Sequence, residues 1–165
     1  MDKADYLKGV RELYAAEIEG EGLAARWLEL ATDPEQKYKL SLFLQLESEA
    51  KVRLRPLLAR YAISLVEDPS QRQLGFKEAE QFAAQPWREA MAALSKLCLP
   101  YAARFRSLLA FAPPEDVPLI RFMIDHEESF SKIAAREALG EPAMESELVV
   151  MLAHPFARAD SPIRN

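Results

Sequence analysis

Residues 32–36 read TDPEQ (Thr32-Asp33-Pro34-Glu35-Gln36) and separate two long stretches of helical periodicity. Pro34 suits the first position of a helix, where a missing N–H costs nothing. Asp33 before it is a capping acceptor for the unpaired amides of the first turn, and Gln36 stands where a capping box takes Glu or Gln. The same few residues therefore stop one helix and start the next. A connection this short sends the chain back alongside itself, so the flanking helices form an antiparallel hairpin.

Working outward, apolar residues recur at intervals of three and four from about Asp5 to Ala31. After Pro34 the pattern runs through Leu40, Leu44, Glu47, Lys51, Leu54, Leu58 and Tyr61 to near Ser64, with a bend expected at Arg55-Pro56. Asp68-Pro69 repeats the cap-and-proline signal and opens a shorter piece, with a thin apolar face, to roughly Ala84. Pro86 then starts a third long stripe, Trp87, Met91, Leu94, Cys98, Phe105 and Leu108, with a kink expected at Pro100. Pro113-Pro114 ends it. A fourth segment runs from about Glu115 to Leu139, stopped by Gly140 and Pro142, and a short helix covers Met144 to Leu152.

Four long segments imply rods of about 36 to 45 Å at 1.5 Å per residue. The expected fold is all-α: an antiparallel four-helix bundle in which the stretch from 64 to 86 is a crossover or an added helix. One domain over residues 1–153 is expected, and 154–165 reads as a flexible tail.

Composition narrows the function. The chain has 165 residues, half of them hydrophobic and 28% charged, with only five glycines, which suits one helix-rich globular domain. A net charge of −5 argues against nucleic acid or an anionic membrane as a partner. The lone Cys98 cannot form an internal disulfide and lies among leucines, and no leader or apolar run of membrane-spanning length is visible. A soluble cytoplasmic protein is expected. Glycine-rich phosphate loops, CxxC pairs, HExxH and GxSxG are absent from the sequence.

The informative residues are acids on the inner stripes, because an ionised carboxylate is rarely buried unless it is paired or bound. In the first segment, positions 7, 10, 14, 17, 21, 24 and 28 hold Leu, Val, Tyr, Glu, Glu, Ala and Leu. Glu17 and Glu21 thus sit midway along an apolar stripe. Glu47 is midway along the second. In the fourth, Glu127 shares one stripe with Ile120, Ile124 and Phe130, and His126 shares the adjacent one with Leu119, Phe122 and Ile133, so one of the two points near the core. The third long segment offers no inward acid; Glu89 lies at its start and Glu80 precedes it.

Through Gly20-Glu21, Leu46-Glu47-Ser48-Glu49-Ala50-Lys51 and Asp125-His126-Glu127-Glu128, the chain resembles the ferritin-like superfamily of carboxylate-bridged di-iron bundles. That resemblance covers most of the chain as an architecture. It implies a metal site drawn from Glu17, Glu21, Glu47, His126 and Glu127, holding iron or manganese and supporting oxidoreductase-type chemistry. The family pattern adds a Glu-x-x-His pair on two helices. Here Ala50 stands three residues after Glu47, Lys51 stands one further on, and Met123 precedes His126 by three.

A second reading follows from those departures. Glu47 pairs with Lys51 four residues on, Glu17 and Glu21 pair with Arg26, Arg53 or Arg55, and the bundle is a metal-free interaction module that forms a homodimer. A third reading makes His126 an axial ligand to heme.

Overall fold

The computed structural model describes residues 3–155, and within them the chain is helical throughout, without strands. Six helices follow in order: α1 (Lys3–Leu30), α2 (Pro34–Arg60), α3 (Pro69–Ala83), α4 (Trp87–Leu108), α5 (Val117–Ala138) and α6 (Ala143–Met151). Among the described residues no helix is long and apolar enough to cross a membrane.

The turn at 32–36 is built as its residues dictate. The Asp33 carboxylate accepts the Gln36 amide at 2.9 Å, and Asp68 does the same for Ser70 at 2.8 Å at the head of α3. Neither Pro56 nor Pro100 ends its helix. The end of α2 comes earlier than Ser64, because Ala62 takes a left-handed φ of 51° and the Ile63 amide folds back to the Leu58 carbonyl at 2.9 Å. A non-glycine residue there costs about 1 kcal/mol, which the recovered terminal hydrogen bond offsets.

α1 packs on α2, and α4 on α5. The pairs run antiparallel: Tyr6 near the start of α1 meets the ring of Tyr61 just past the end of α2, and Ser131 of α5 donates its hydroxyl to the Ser95 carbonyl of α4 at 2.7 Å. Phe43 of α2 stacks on Phe130 of α5 with ring centres 4.3 Å apart, and Trp27 of α1 meets Trp87 of α4 at 5.6 Å. Buried Asp116 ties one end together, accepting the hydroxyls of Tyr6 and Tyr61 and pairing with Arg60.

The segment expected as a crossover or an added helix contains α3, which lies along α1. Its apolar face is thin because it packs by backbone. A Cβ at Gly75 would collide with the Glu19 carbonyl and the Leu23 amide of α1, and one at Gly22 of α1 would collide with the backbone of Arg72. Small residues at both contacts let the two helices touch closely.

The apolar core is divided in two. One cluster holds Leu23, Trp27, Phe43, Leu46, Leu94 and Phe130; the other holds Val10, Ile18, Ala50, Leu54, Phe105 and Ile124. Between them, at mid-length on α1, α2 and α5, lie the buried polar side chains Glu17, Glu47, Lys51, His126 and Glu127. Both His126 and Glu127 are buried, so α5 turns a wide face inward.

The expected tail at 154–165 lies mostly outside the described residues. Of it, the His154 amide and the neighbouring Ala153 amide donate to the Glu49 carboxylate of α2.

Candidate metal centre

Within the polar layer, Glu17 of α1, Glu47 of α2 and His126 of α5 bring one ligand atom each to within 4.8 Å of one another. His126 Nε2 lies 3.4 Å from Glu47 Oε1 and 4.0 Å from Glu17 Oε2. Apolar neighbours fix each from above and below: Tyr14 and Ile18 on α1, Leu46 and Ala50 on α2, Met123 and Phe130 on α5. Gly20 completes the cradle. A Cβ there would collide with Glu47 Oε2, so the absent side chain on α1 is the space that the carboxylate from α2 fills.

These groups are close yet poorly satisfied. Glu17 is 1% exposed and His126 2% exposed, and neither Glu17 Oε2 nor His126 Nδ1 has a hydrogen-bond partner among the described residues. Leaving buried polar atoms unpaired costs about 1 to 3 kcal/mol each. The separations are long for hydrogen bonds. Metal–ligand bonds of about 2.0–2.2 Å set neighbouring donors roughly 3 to 3.5 Å apart; the His126–Glu47 separation of 3.4 Å matches that spacing, and the His126–Glu17 separation of 4.0 Å is wider than it.

Charge sharpens the point. Glu17, Glu47 and Glu127 are three buried carboxylates facing one imidazole, so full ionisation with His126 protonated would leave uncompensated negative charge in a dry interior. Burial holds the Glu17 carboxyl well above the usual carboxylate range; Glu47 and Glu127 raise it further, against the opposing pull of His126 and Lys51. Burial likewise pushes Glu127 up to about 8, with Glu47 adding to the rise and His126 and Cys98 opposing it. For His126 burial works the other way, lowering its affinity for a proton. The facing Glu47 carboxylate and the charges of Glu17 and Glu127 outweigh that and push it up to about 10. The cluster therefore needs positive charge, which protons or a cation can supply.

Glu21 lies outside the group although it shares the stripe of Glu17. Its carboxylate accepts Ser48 Oγ at 2.6 Å, Lys51 Nζ at 2.5 Å and Arg72 Nη2 at 2.5 Å. Lys51 also reaches Glu67 at 2.6 Å and Arg72 reaches it at 3.2 Å, which closes a network of two cations and two acids. This corrects the pairings expected from the sequence. Lys51 serves Glu21 and Glu67 rather than Glu47, and the arginine that meets Glu21 comes from α3. Arg26 is taken by Glu29 and Glu80 on the surface, which also removes Glu80 as an inward acid. Glu67 and Arg72 had no periodic signal, because one sits in a linker and the other faces α1 from a helix with little apolar pattern.

Glu127 faces a small cavity that it shares with Glu47, Gly20, Cys98 and Phe130, with a volume of about 40 Å³. Burial, Glu127 and Glu47 raise the Cys98 thiol well above its usual range, so it is not a thiolate nucleophile. This cavity does not border His126, the residue that the heme reading takes as axial ligand.

No protein-family model, curated protein or solved structure matches the chain.

Proposed function

We propose that this chain is a metal-binding helical protein of ferritin-like build, with Glu17, Glu47 and His126 as ligands to a single iron or manganese ion. The observation that carries the reading is the meeting of three buried donors from three helices, with Glu17 Oε2 unpartnered and Gly20 vacating the space for Glu47. Two carboxylates and a neutral imidazole around a divalent cation form an electrically neutral unit, which removes the cost of the buried charge. The antiparallel pairs α1/α2 and α4/α5, joined through the α3 segment, support a four-helix bundle with one long crossover. Among the described residues one ligand set converges, which favours a mononuclear site over the di-iron pair of the family.

The bound ion would supply Lewis-acid or redox chemistry at positions the protein leaves open. Around it, the apolar clusters above and below exclude bulk water, and Glu127 holds a proton at its carboxyl close to Glu47. Analysis of protein purified without chelator tests the reading. Roughly one equivalent of iron or manganese, or stoichiometric uptake on adding Fe(II) or Mn(II), is expected. Protein that carries only traces of metal and takes up none would overturn it.

A second reading is favoured by the high proton affinity of His126: its imidazolium sits between Glu17 and Glu47, the cluster is neutralised by protons, and the bundle serves as a metal-free assembly module, a homodimer. Light scattering together with a Tm that ignores Fe(II) and Mn(II) would favour this alternative.

A further inference from the structure

The polar layer is shut off by apolar side chains above and below. Across the bundle α1 meets α4, and α2 meets α5, at few points, and α3 lies along α1 beside the first of these seams. The cavity that reaches Glu47 and Glu127 opens there, past Ala16, Gly20 and Leu97, all only half-buried. Its outer wall carries Glu19 of α1, Glu78 of α3 and Tyr101 of α4, so every helix bordering the opening contributes a polar group.

Two features of that mouth call for explanation. Glu19 and Glu78 both border it, and both are half-buried. Glu19 has polar neighbours on α4, with Tyr101 beside it at the cavity and the Arg104 charge favouring its carboxylate. Among the described residues Glu78 makes no ion pair. A fold that only needed to cover α1 would place an apolar residue or a lysine at this point. Independently, Glu47 at the inner end of the cavity belongs to the cluster in which the fully buried Glu17 Oε2 accepts no hydrogen bond.

Resting on the metal-binding reading above, we propose that this cavity is the loading route for a divalent cation, with Glu78 and Glu19 as the capture point and Glu47 and Glu127 as the inner relay to the site. The dimensions select the ligand. A volume of about 40 Å³ accommodates a partly dehydrated ion or a few waters, one water needing about 10–15 Å³ on this measure. A cavity this small suits an ion or a molecule of water's size better than a larger organic substrate. The carboxylates exchange for the ion's lost hydration waters one after another, as hard oxygen donors suit Fe(II) or Mn(II).

The test uses the intact chain and Co(II), whose visible absorption reports arrival at the buried donors, mixed anaerobically in a stopped-flow instrument. Glu78→Gln is expected to slow uptake roughly three- to ten-fold and to weaken its dependence on ionic strength. Equilibrium stoichiometry, affinity and Tm should remain as in the parent protein. Glu115→Gln, an exposed acid elsewhere, should change nothing. A second variant, Leu97→Trp, narrows the passage without altering charge and should also slow uptake. If both variants bind Co(II) at the parent rate, the loading route is wrong while the metal site stands. If the parent chain takes up no Co(II), Mn(II) or Fe(II), the metal reading itself fails and the route falls with it.

Discussion

The Glu47 carboxylate of α2 occupies the place where Gly20 of α1 lacks a side chain, and that fit lets a charged group enter the core between two closely packed helices. Gly20→Ala therefore separates metal binding from folding. The added methyl meets the movable end of Glu47, and the helix gains about 1 kcal/mol in propensity, so Tm should move little. The displaced carboxylate should lower metal affinity ten-fold or more, measured by titration with Mn(II) or Co(II).

Neutralising the cluster should stabilise the metal-free protein. Glu17→Gln keeps the shape of a fully buried side chain while removing its charge, and replacing such charges is often neutral or stabilising by about 1 to 4 kcal/mol. Chemical denaturation should show an equal or higher midpoint, together with loss of the stabilisation that metal gives the parent chain. A destabilised variant would indicate that the Glu17 charge is already well compensated without metal.

The neighbouring network should behave in the opposite way. Glu21→Gln leaves the buried Lys51 with Glu67 as its one remaining acid and loosens Arg72, so α3 loses an anchor on α1. Breaking a buried pair costs about 3 kcal/mol, and the fall should appear as an earlier urea midpoint. Burial raises the proton affinity of Glu21, but Lys51, Ser48 and Arg72 together hold its carboxyl below the usual range; Lys51 and Arg72 do the same for Glu67 despite its own burial. Groups depressed in the folded state contribute stability above the ordinary carboxylate pKa and lose it as pH falls through the lowered value. Acid unfolding should accordingly set in below about pH 4.5.

At higher pH the buried cluster gives the reverse slope. Glu17 and Glu127 are raised, Glu127 to about 8, and His126 is raised to about 10, so the folded state holds extra protons there. That contribution is present below the unfolded values and is lost as pH rises through the folded ones. The Tm of the metal-free protein should decline between about pH 6 and 10. Metal binding must expel the same protons, so the Tm increment from Mn(II) should grow over that range. Two thermal series, with EDTA and with Mn(II), check both slopes.

The elements were legible in the sequence because their signals are local. TDPEQ sets the α1/α2 hairpin through a cap and a proline, and Asp68-Pro69 starts α3 by the same means. Stripe positions marked Glu17, Glu21, Glu47 and one of His126 and Glu127 as inward groups, since helical periodicity sorts faces without knowledge of neighbours. The position of Glu78, at the mouth of the cavity, had no such signal. Its significance depends on α3 lying against α1.

What the sequence determined by itself is an all-helical chain with acids at mid-length on its inner faces. What only the tertiary structure decided is the partner of each acid. Glu17 and Glu21 are one turn apart and differ by only about 40° around the helix, too little for periodicity to tell them apart. Yet one meets Glu47 and His126 in the core, and the other meets Lys51 and Arg72 beneath α3. That division comes from helices far apart in the chain converging on either side of α1, and a buried charge settles wherever the opposite charge or the donor atoms happen to be brought.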